Sequence, residues 1–241
     1  MIRALVDGAL AALLAPCCAV CGALLDRPLD GAACRTCWAR VPRFSPPLCA
    51  RCGDPLPSER AATSAACCAV CSVDLGVIAA ARALGPFEGT LADLIHACKY
   101  GRRPSIATGL GRLMRDLHAT WPERIDVVVP VPLHPRRERE RGFNQAALVA
   151  AALGPPVCDA LTRRVHTSPQ AAASGAARHA NVRGAFTASR DAGQVRGRVV
   201  ALVDDVLTTG ATLAAAAAAL EGAGPARIVA LTAARAELAR R

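Results

Sequence analysis

Four Cys-x-x-Cys pairs within the first 71 residues constrain this chain more than any other feature. They are Cys18/Cys21, Cys34/Cys37, Cys49/Cys52 and Cys68/Cys71, with twelve residues between the first two pairs and fifteen between the last two. A Cys-x-x-Cys turn brings two thiolates within reach of one metal ion. A second turn completes a tetrahedron with Zn–S bonds of about 2.3 Å. Eight such ligands predict two structural zinc ions, and joining the pairs in sequence is favoured over a cross-brace. Cys17 and Cys67 each precede a ligand and are its natural substitutes, whereas Cys98 and Cys158 are expected to be small core residues. The competing use of so many cysteines is a disulfide framework in a secreted chain. Leu13-Leu14-Ala15-Pro16-Cys17 loosely resembles a lipoprotein cleavage site, but Asp7 interrupts the apolar run and Pro16 stands where a small residue is needed. Residues 1–14 are therefore expected to form a short amphipathic helix leading into a zinc-bound region. Metal binding would supply folding energy to a loop-rich segment with little bulk to bury.

Charge divides the chain at the same place as the cysteines. The net charge of +10 comes from 29 basic and 19 acidic residues, and Lys99 is the single lysine. Residues 1–75 hold seven basic and six acidic groups, a formal +1. Residues 76–241 hold 22 and 13, a formal +9. A zinc ion bound by four thiolates carries −2, so two would take the front segment to about −3. An anionic ligand is thus expected on the back segment. No apolar run reaches the roughly 18 residues needed to span a bilayer.

Beyond residue 76 the pattern is that of strands alternating with helices, which predicts an α/β fold with a mostly parallel sheet. Strands are expected at 77–84, 125–129, 199–203 and 227–231. Leu91, Leu94, Ile95 and Cys98 mark one face of a helix, and Ile106, Leu110, Leu113 and Leu117 mark another. Further helices are expected at 142–153 and 211–222. Ligands of such sheets bind at the carboxyl ends of the strands.

The most informative stretch begins at the strand 199–203 and continues as Asp204-Asp205-Val206-Leu207-Thr208-Thr209-Gly210-Ala211-Thr212. Two adjacent carboxylates at the end of a buried strand are costly unless a ligand uses them. The hydroxyl- and glycine-containing loop opens into an alanine-rich helix, whose N–H groups and positive end suit a phosphate. Paired acids beside a phosphate cradle would hold the hydroxyls of a sugar together with its 5′-phosphate. The plainer alternative is an Asp-Asp turn with a threonine N-cap.

This stretch is similar to the phosphoribosyl-pyrophosphate (PRPP) signature of type I phosphoribosyltransferases. Further segments narrow the resemblance to the ComF family of competence proteins, which includes GntX-like proteins. They are Leu94-Ile95-His96-Ala97-Cys98-Lys99-Tyr100, Pro130-Val131-Pro132-Leu133-His134, Arg137, Arg141-Gly142-Phe143-Asn144-Gln145, Thr167, Gln170, Arg178, Asn181 and Ala185-Phe186. The Cys pairs also look like that family's double zinc ribbon, so the resemblance covers essentially the whole chain. It departs from the family pattern at Ala173 and Ala177, which replace a usual leucine and a usual acid.

The resemblance implies a type I phosphoribosyltransferase-like domain over 76–241, preceded by a double zinc ribbon over 1–75. Asp204 and Asp205 would contact ribose hydroxyls, and Thr208, Thr209, Gly210, Ala211 and Thr212 the 5′-phosphate. Mg²⁺ would be held chiefly by the ligand. Lys99, Arg137, Arg141, Gln170, Arg178 and Asn181 would serve pyrophosphate or a closing lid. For Arg137 and Arg141, a solvated Arg/Glu face, with charges of alternating sign over 136–141, is an equal reading. The family further implies a part in natural transformation, with incoming single-stranded DNA and competence proteins as partners. Only seven aromatic residues are present, so base stacking would contribute little to DNA binding.

Overall fold

The computed structural model describes residues 2–57, 68, 75–119, 124–164 and 184–236. The expected helix at the start is α1 (Ile2–Leu14). Two side chains fasten it: Asp7 accepts the Leu29 N–H at 2.9 Å, and Arg3 pairs with Asp30 at 2.7 Å. Short antiparallel bridges, Cys17 to Leu24 and Leu48 to Pro55, bracket the first and third Cys pairs. The second pair lies on α2 (Arg35–Ala39), which starts at Cys34 because that thiol caps the Cys37 N–H.

The back segment contains β1 (Ala80–Pro86), α3 (Gly89–Lys99), α4 (Pro104–Ala119), β2 (Val127–Pro130), α5 (Pro135–Arg141) and α6 (Gln145–Leu153). It continues with β3 (Leu161–Arg163), β4 (Phe186–Ala188), β5 (Val199–Leu207), α7 (Ala211–Glu221) and β6 (Arg227–Arg235). Strands β1, β6, β5 and β2 form one sheet in that order, every pair parallel, and β3 and β4 form a separate antiparallel pair. The parallel α/β fold is as expected. Both faces of the sheet are covered, which is why its strands read as continuous apolar runs. On one face lie Leu94, Ile95, Leu110, Met114 and Leu153 of α3, α4 and α6; on the other lie Leu213, Ala217 and Leu220 of α7 with Phe186 of β4.

Three local expectations shift. The first strand starts at Ala80 rather than 77. The helix expected over 142–153 starts at Gln145, because Asn144 caps the Ala146 N–H and Gly142 takes a left-handed φ of 87°. Before it, the Arg/Glu-rich run folds as α5, with Pro135 in its first turn and His134 capping the Arg136 N–H. Third, β5 does not stop at Val203 but runs on to Leu207. The acid pair is therefore inside a strand, not in the turn after it.

The Cys-rich front is packed against both faces of the sheet. Cys18, Cys37 and Val41 join the core under α3 and α4, whereas Cys49 and Cys52 join the core under α7. Backbone bonds hold the join: Phe44 N–H donates to Leu84 at 2.9 Å, and Ala81 N–H donates to Arg51 at 2.7 Å. Glycine makes the approach close enough. A Cβ on Gly85 would collide with the Pro42 carbonyl, and one on Gly109 would enter the Trp38 ring. Overpacking of this kind costs about 1–3 kcal/mol. Gly85→Ala and Gly109→Ala should each lower the unfolding free energy measured in urea by that much, whereas Gly193→Ala, which meets no neighbour within 4 Å, should leave it nearly unchanged.

Candidate functional site

The carboxyl end of β5 gathers most of the described polar residues that the sequence singles out. Side chains alternate along a strand, so Asp204 and Asp205 are sent to opposite sides of the sheet. Asp205, 7% exposed, points toward α3, where Lys99 Nζ meets its Oδ2 at 2.8 Å. Asp204 accepts the Asp205 N–H at 2.8 Å. It lies in the field of Arg163, the last residue of β3. The Asp204 carboxyl is pushed up to about 7 by loss of solvent and then by the charge on Asp205; the Asp205 N–H, Lys99 and Arg163 oppose the shift. The pair thus has one carboxylate neutralised by a lysine and a second poised to take or release a proton near neutrality.

Beyond Leu207 the chain turns through residues 208–210 into α7. Gly210 adopts a left-handed φ of 86° at the helix N-cap, a conformation that suits glycine. Thr209 is buried, and its hydroxyl accepts the Ala211 N–H at 3.4 Å. The loop is therefore preshaped around the positive end of an 11-residue helix. Beside it runs the Pro130-Val131-Pro132-Leu133-His134 turn, held against β5 by the Val131 N–H to Val203 bond of 2.9 Å. Asn144 secures the same turn by donating to the Val131 carbonyl at 3.1 Å.

Of the basic residues expected to meet pyrophosphate, Lys99 is engaged with Asp205. Arg141 donates to Gln145 Oε1 on α6. Arg137 lies near enough to Arg163 to disfavour its charge. Gln170, Arg178 and Asn181, with Thr167, fall outside the described residues. Arg163 is a residue that sequence reasoning missed. Its guanidinium lies over the Phe186 ring, 5.2 Å from the centroid, a cation–π contact. Only the pairing of β3 with β4 brings it there. Cys98 is buried beside the pair, and burial followed by the Asp205 charge pushes its thiol up to about 11, which fits an inert core residue.

The cysteines form two clusters. Cys18, Cys21, Cys34 and Cys37 converge in one, and Cys49, Cys52 and Cys68 in the other; Cys67 and Cys71 lie outside the described residues. The pairs are thus joined in sequence. Sulfurs are 3.8 Å apart for Cys18 and Cys37, 3.7 Å for Cys21 and Cys34, and 3.5 Å for Cys52 and Cys68. The edge of a tetrahedron with zinc–sulfur bonds of 2.3 Å is about 3.8 Å, whereas a disulfide needs about 2.05 Å. Backbone N–H groups point at the sulfurs: Cys34 at Cys18 (3.3 Å) and Cys68 at Cys49 (3.2 Å). Burial opposes ionisation of Cys18 and Cys49, but these and neighbouring N–H groups outweigh it and bring each thiol down to about 6. The donor set fits zinc. Cys17 is exposed and stands apart from the first cluster.

Among known proteins, residues 97–240 match the phosphoribosyl transferase domain family and residues 9–72 the double zinc ribbon domain family. The DNA utilization protein YhgH of Escherichia coli (strain K12) is 39% identical over 134 residues, 52% of this chain and 58% of that protein. Competence protein F of Haemophilus influenzae is 34% identical over 140 residues, 54% and 61% of the two chains. Competence protein ComFC of Bacillus subtilis is 28% identical over 210 residues, 83% and 82%. The match to the first two spans about three fifths of their own length.

Two measurements test these sites. Metal analysis of the full chain should find two zinc ions, and Cys49→Ser should reduce the count to one. The second concerns Asp204. Its native carboxyl holds a proton up to about 7, but the unfolded chain releases it near 3.8. Wherever the native state binds more protons, stability falls as pH rises. Asp204→Asn should therefore raise the melting temperature above wild type at pH 8, with a much smaller gain at pH 5; an equal gain at both would show that the carboxyl is not perturbed.

Proposed function

Because the chain belongs to the ComF family, with a double zinc ribbon and a phosphoribosyltransferase domain, we propose that the end of β5 binds PRPP or a related phosphoribosyl ligand. The observation that carries this reading is the run from Asp204 and Asp205, through the left-handed Gly210, into the N-terminus of α7. Thr208, Thr209, Gly210, Ala211 and Thr212 take the 5′-phosphate with backbone N–H groups and hydroxyls. Asp204 accepts from a ribose hydroxyl. Lys99 fixes Asp205, which presents its second face to the sugar. Mg²⁺ enters with the ligand, held by its pyrophosphate and hydroxyls, because Asp204 and Asp205 diverge and do not form a chelating pair.

This site suits displacement of pyrophosphate at ribose C1 by a nitrogen nucleophile. Catalysis would come from positioning the ribose and stabilising the departing charge. Arg137, on the helix after the 130–134 turn, is placed to neutralise that charge. Gln170, Arg178 and Asn181 belong to the connection between β3 and β4 and are assigned by resemblance to a lid.

A second reading is supported by the names of the relatives, two of which are competence proteins and one a DNA utilization protein. In it the protein is a cytoplasmic factor that handles single-stranded DNA during uptake, in company with other competence proteins. The formal +9 of the back segment favours phosphate contacts. No helix among the described residues is long and apolar enough to cross a membrane.

Calorimetry separates the readings. PRPP with Mg²⁺ should bind the wild-type chain and fail to bind Asp204→Asn/Asp205→Asn; no binding to wild type would sink the first reading. Single-stranded DNA should bind with an affinity that falls steeply between 50 and 200 mM salt, in the manner of phosphate-driven association. A salt-independent or absent signal would remove the second. Loss of transformation by the double variant would tie the ligand site to DNA uptake.

A further inference from the structure

The second Cys cluster differs from the first in how deeply it is set. Cys49 and Cys52 are fully buried under the sheet with Cys68 half-buried, whereas the first cluster adds an exposed Cys21 to buried Cys18 and Cys37 and half-buried Cys34. A zinc ion held there by thiolates is a buried dianion, and burying such a charge is costly without compensation. Two sheet arginines meet that need. Arg235, the last residue of β6, is 4% exposed. It donates through Nη1 to the Cys52 carbonyl at 2.5 Å and through Nη2 to Asp54 Oδ2 at 2.7 Å. Arg82, on β1, donates to the Ala50 carbonyl at 3.1 Å, inside the same knuckle.

Asp54 makes the arrangement more demanding. Its Oδ2 lies 3.7 Å from Cys52 Sγ, so metal binding sets a thiolate against a carboxylate. Among the described residues, Arg235 is the cation bonded to that carboxylate. The knuckle itself cannot shift easily, since Gly53 has φ 75° and a Cβ there would sit 2.7 Å from the Ala81 carbonyl.

At its other end Arg235 belongs to the ligand site. It is paired in register with Leu207, and the next N–H, that of Ala236, donates to the Leu207 carbonyl at 2.9 Å. Leu207 is the residue from which the 208–212 loop departs. We infer that Arg82 and Arg235 are the charge-compensating partners of the second zinc centre, and that Arg235 couples its occupancy to the order of the phosphate loop. Without the metal the knuckle loses its anchor, the buried guanidinium loses its acceptors, and the end of β6 relaxes together with Leu207. Arg235 is thus a positioning residue for two sites at once.

The inference concerns the zinc-loaded full chain and requires no phosphoribosyl ligand, so it stands or falls separately from PRPP binding. Zinc release to a chromogenic chelator should show one of the two equivalents leaving faster in Arg82→Met and Arg235→Met. Asp54→Asn, which removes the carboxylate set against Cys52 and leaves Arg235 to the thiolates, should instead slow that release, and it keeps the test valid if the Arg235 variant does not fold. Loss of an outer-shell partner typically weakens metal binding about 10- to 100-fold, and an acceleration of that order is expected. Hydrogen exchange on Arg82→Met depleted of that equivalent should show faster exchange in peptides covering 204–213, with α6 unchanged. Release at the wild-type rate in all folded variants would overturn the compensation. Exchange changes confined to residues 49–57 would overturn the coupling.

Discussion

A carboxylate pair inside an otherwise apolar central strand governs the rest of this structure. Strand β5 is covered on both faces, and its first five positions are valine, alanine and leucine. Two acids in such a strand cannot both keep full charge without partners. The fold divides the problem by side-chain alternation. Asp205 turns toward α3 and is met by Lys99, whose ammonium is a compact point charge at the end of a flexible stem. Asp204 turns the other way, toward the end of β3, and carries the burden as a displaced proton equilibrium. The same division leaves one acid fixed and the other responsive, the asymmetry that acid–base roles use elsewhere.

The front segment meets a different constraint. With aromatic residues only 3% of the chain, large side chains cannot do much of the packing. Close backbone approach replaces them. Gly53, Gly85 and Gly109 let the Cys-rich loops lie directly on β1 and α4, and the two metal clusters end on opposite faces of the sheet. Read by sequence position alone, the ribbon looks like a separate module ahead of the α/β domain. In three dimensions its cysteines are members of both cores. Metal binding and folding of the sheet are therefore linked.

How much of this is legible in the sequence depends on whether local chemistry or long-range placement decides it. The Cys pairs follow from spacing, which favours joining them in sequence over a cross-brace, and the structure joins them so. The parallel sheet follows from apolar runs separated by helical periodicity. The short turn from β5 into α7 follows from a strand, a glycine and a helix start in immediate succession. The extent of β5 was not legible, because aspartates disfavour strands and the pairing with Thr232 to Arg235 of β6 overrides that preference. Helix α5 was missed as a helix of its own, since only three residues, beginning with the left-handed Gly142, separate it from α6. Arg163 carried no sequence signal at all. Its position depends on an antiparallel pairing across more than twenty residues.

Placement also changes what the net charge means. A formal +9 on the back segment suggests a broad anion-binding surface, yet many of its arginines have internal tasks. Arg115 donates twice to the Ala152 carbonyl, Arg82 and Arg235 hold the second Cys knuckle, and Arg163 covers Phe186. A guanidinium offers five donors in a rigid fork and can satisfy several backbone acceptors while remaining charged. It therefore suits a chain that must bind loops to a sheet with few large side chains. The surplus positive charge is then partly a by-product of architecture. The one lysine is kept for the place where a carboxylate, not a carbonyl, must be met.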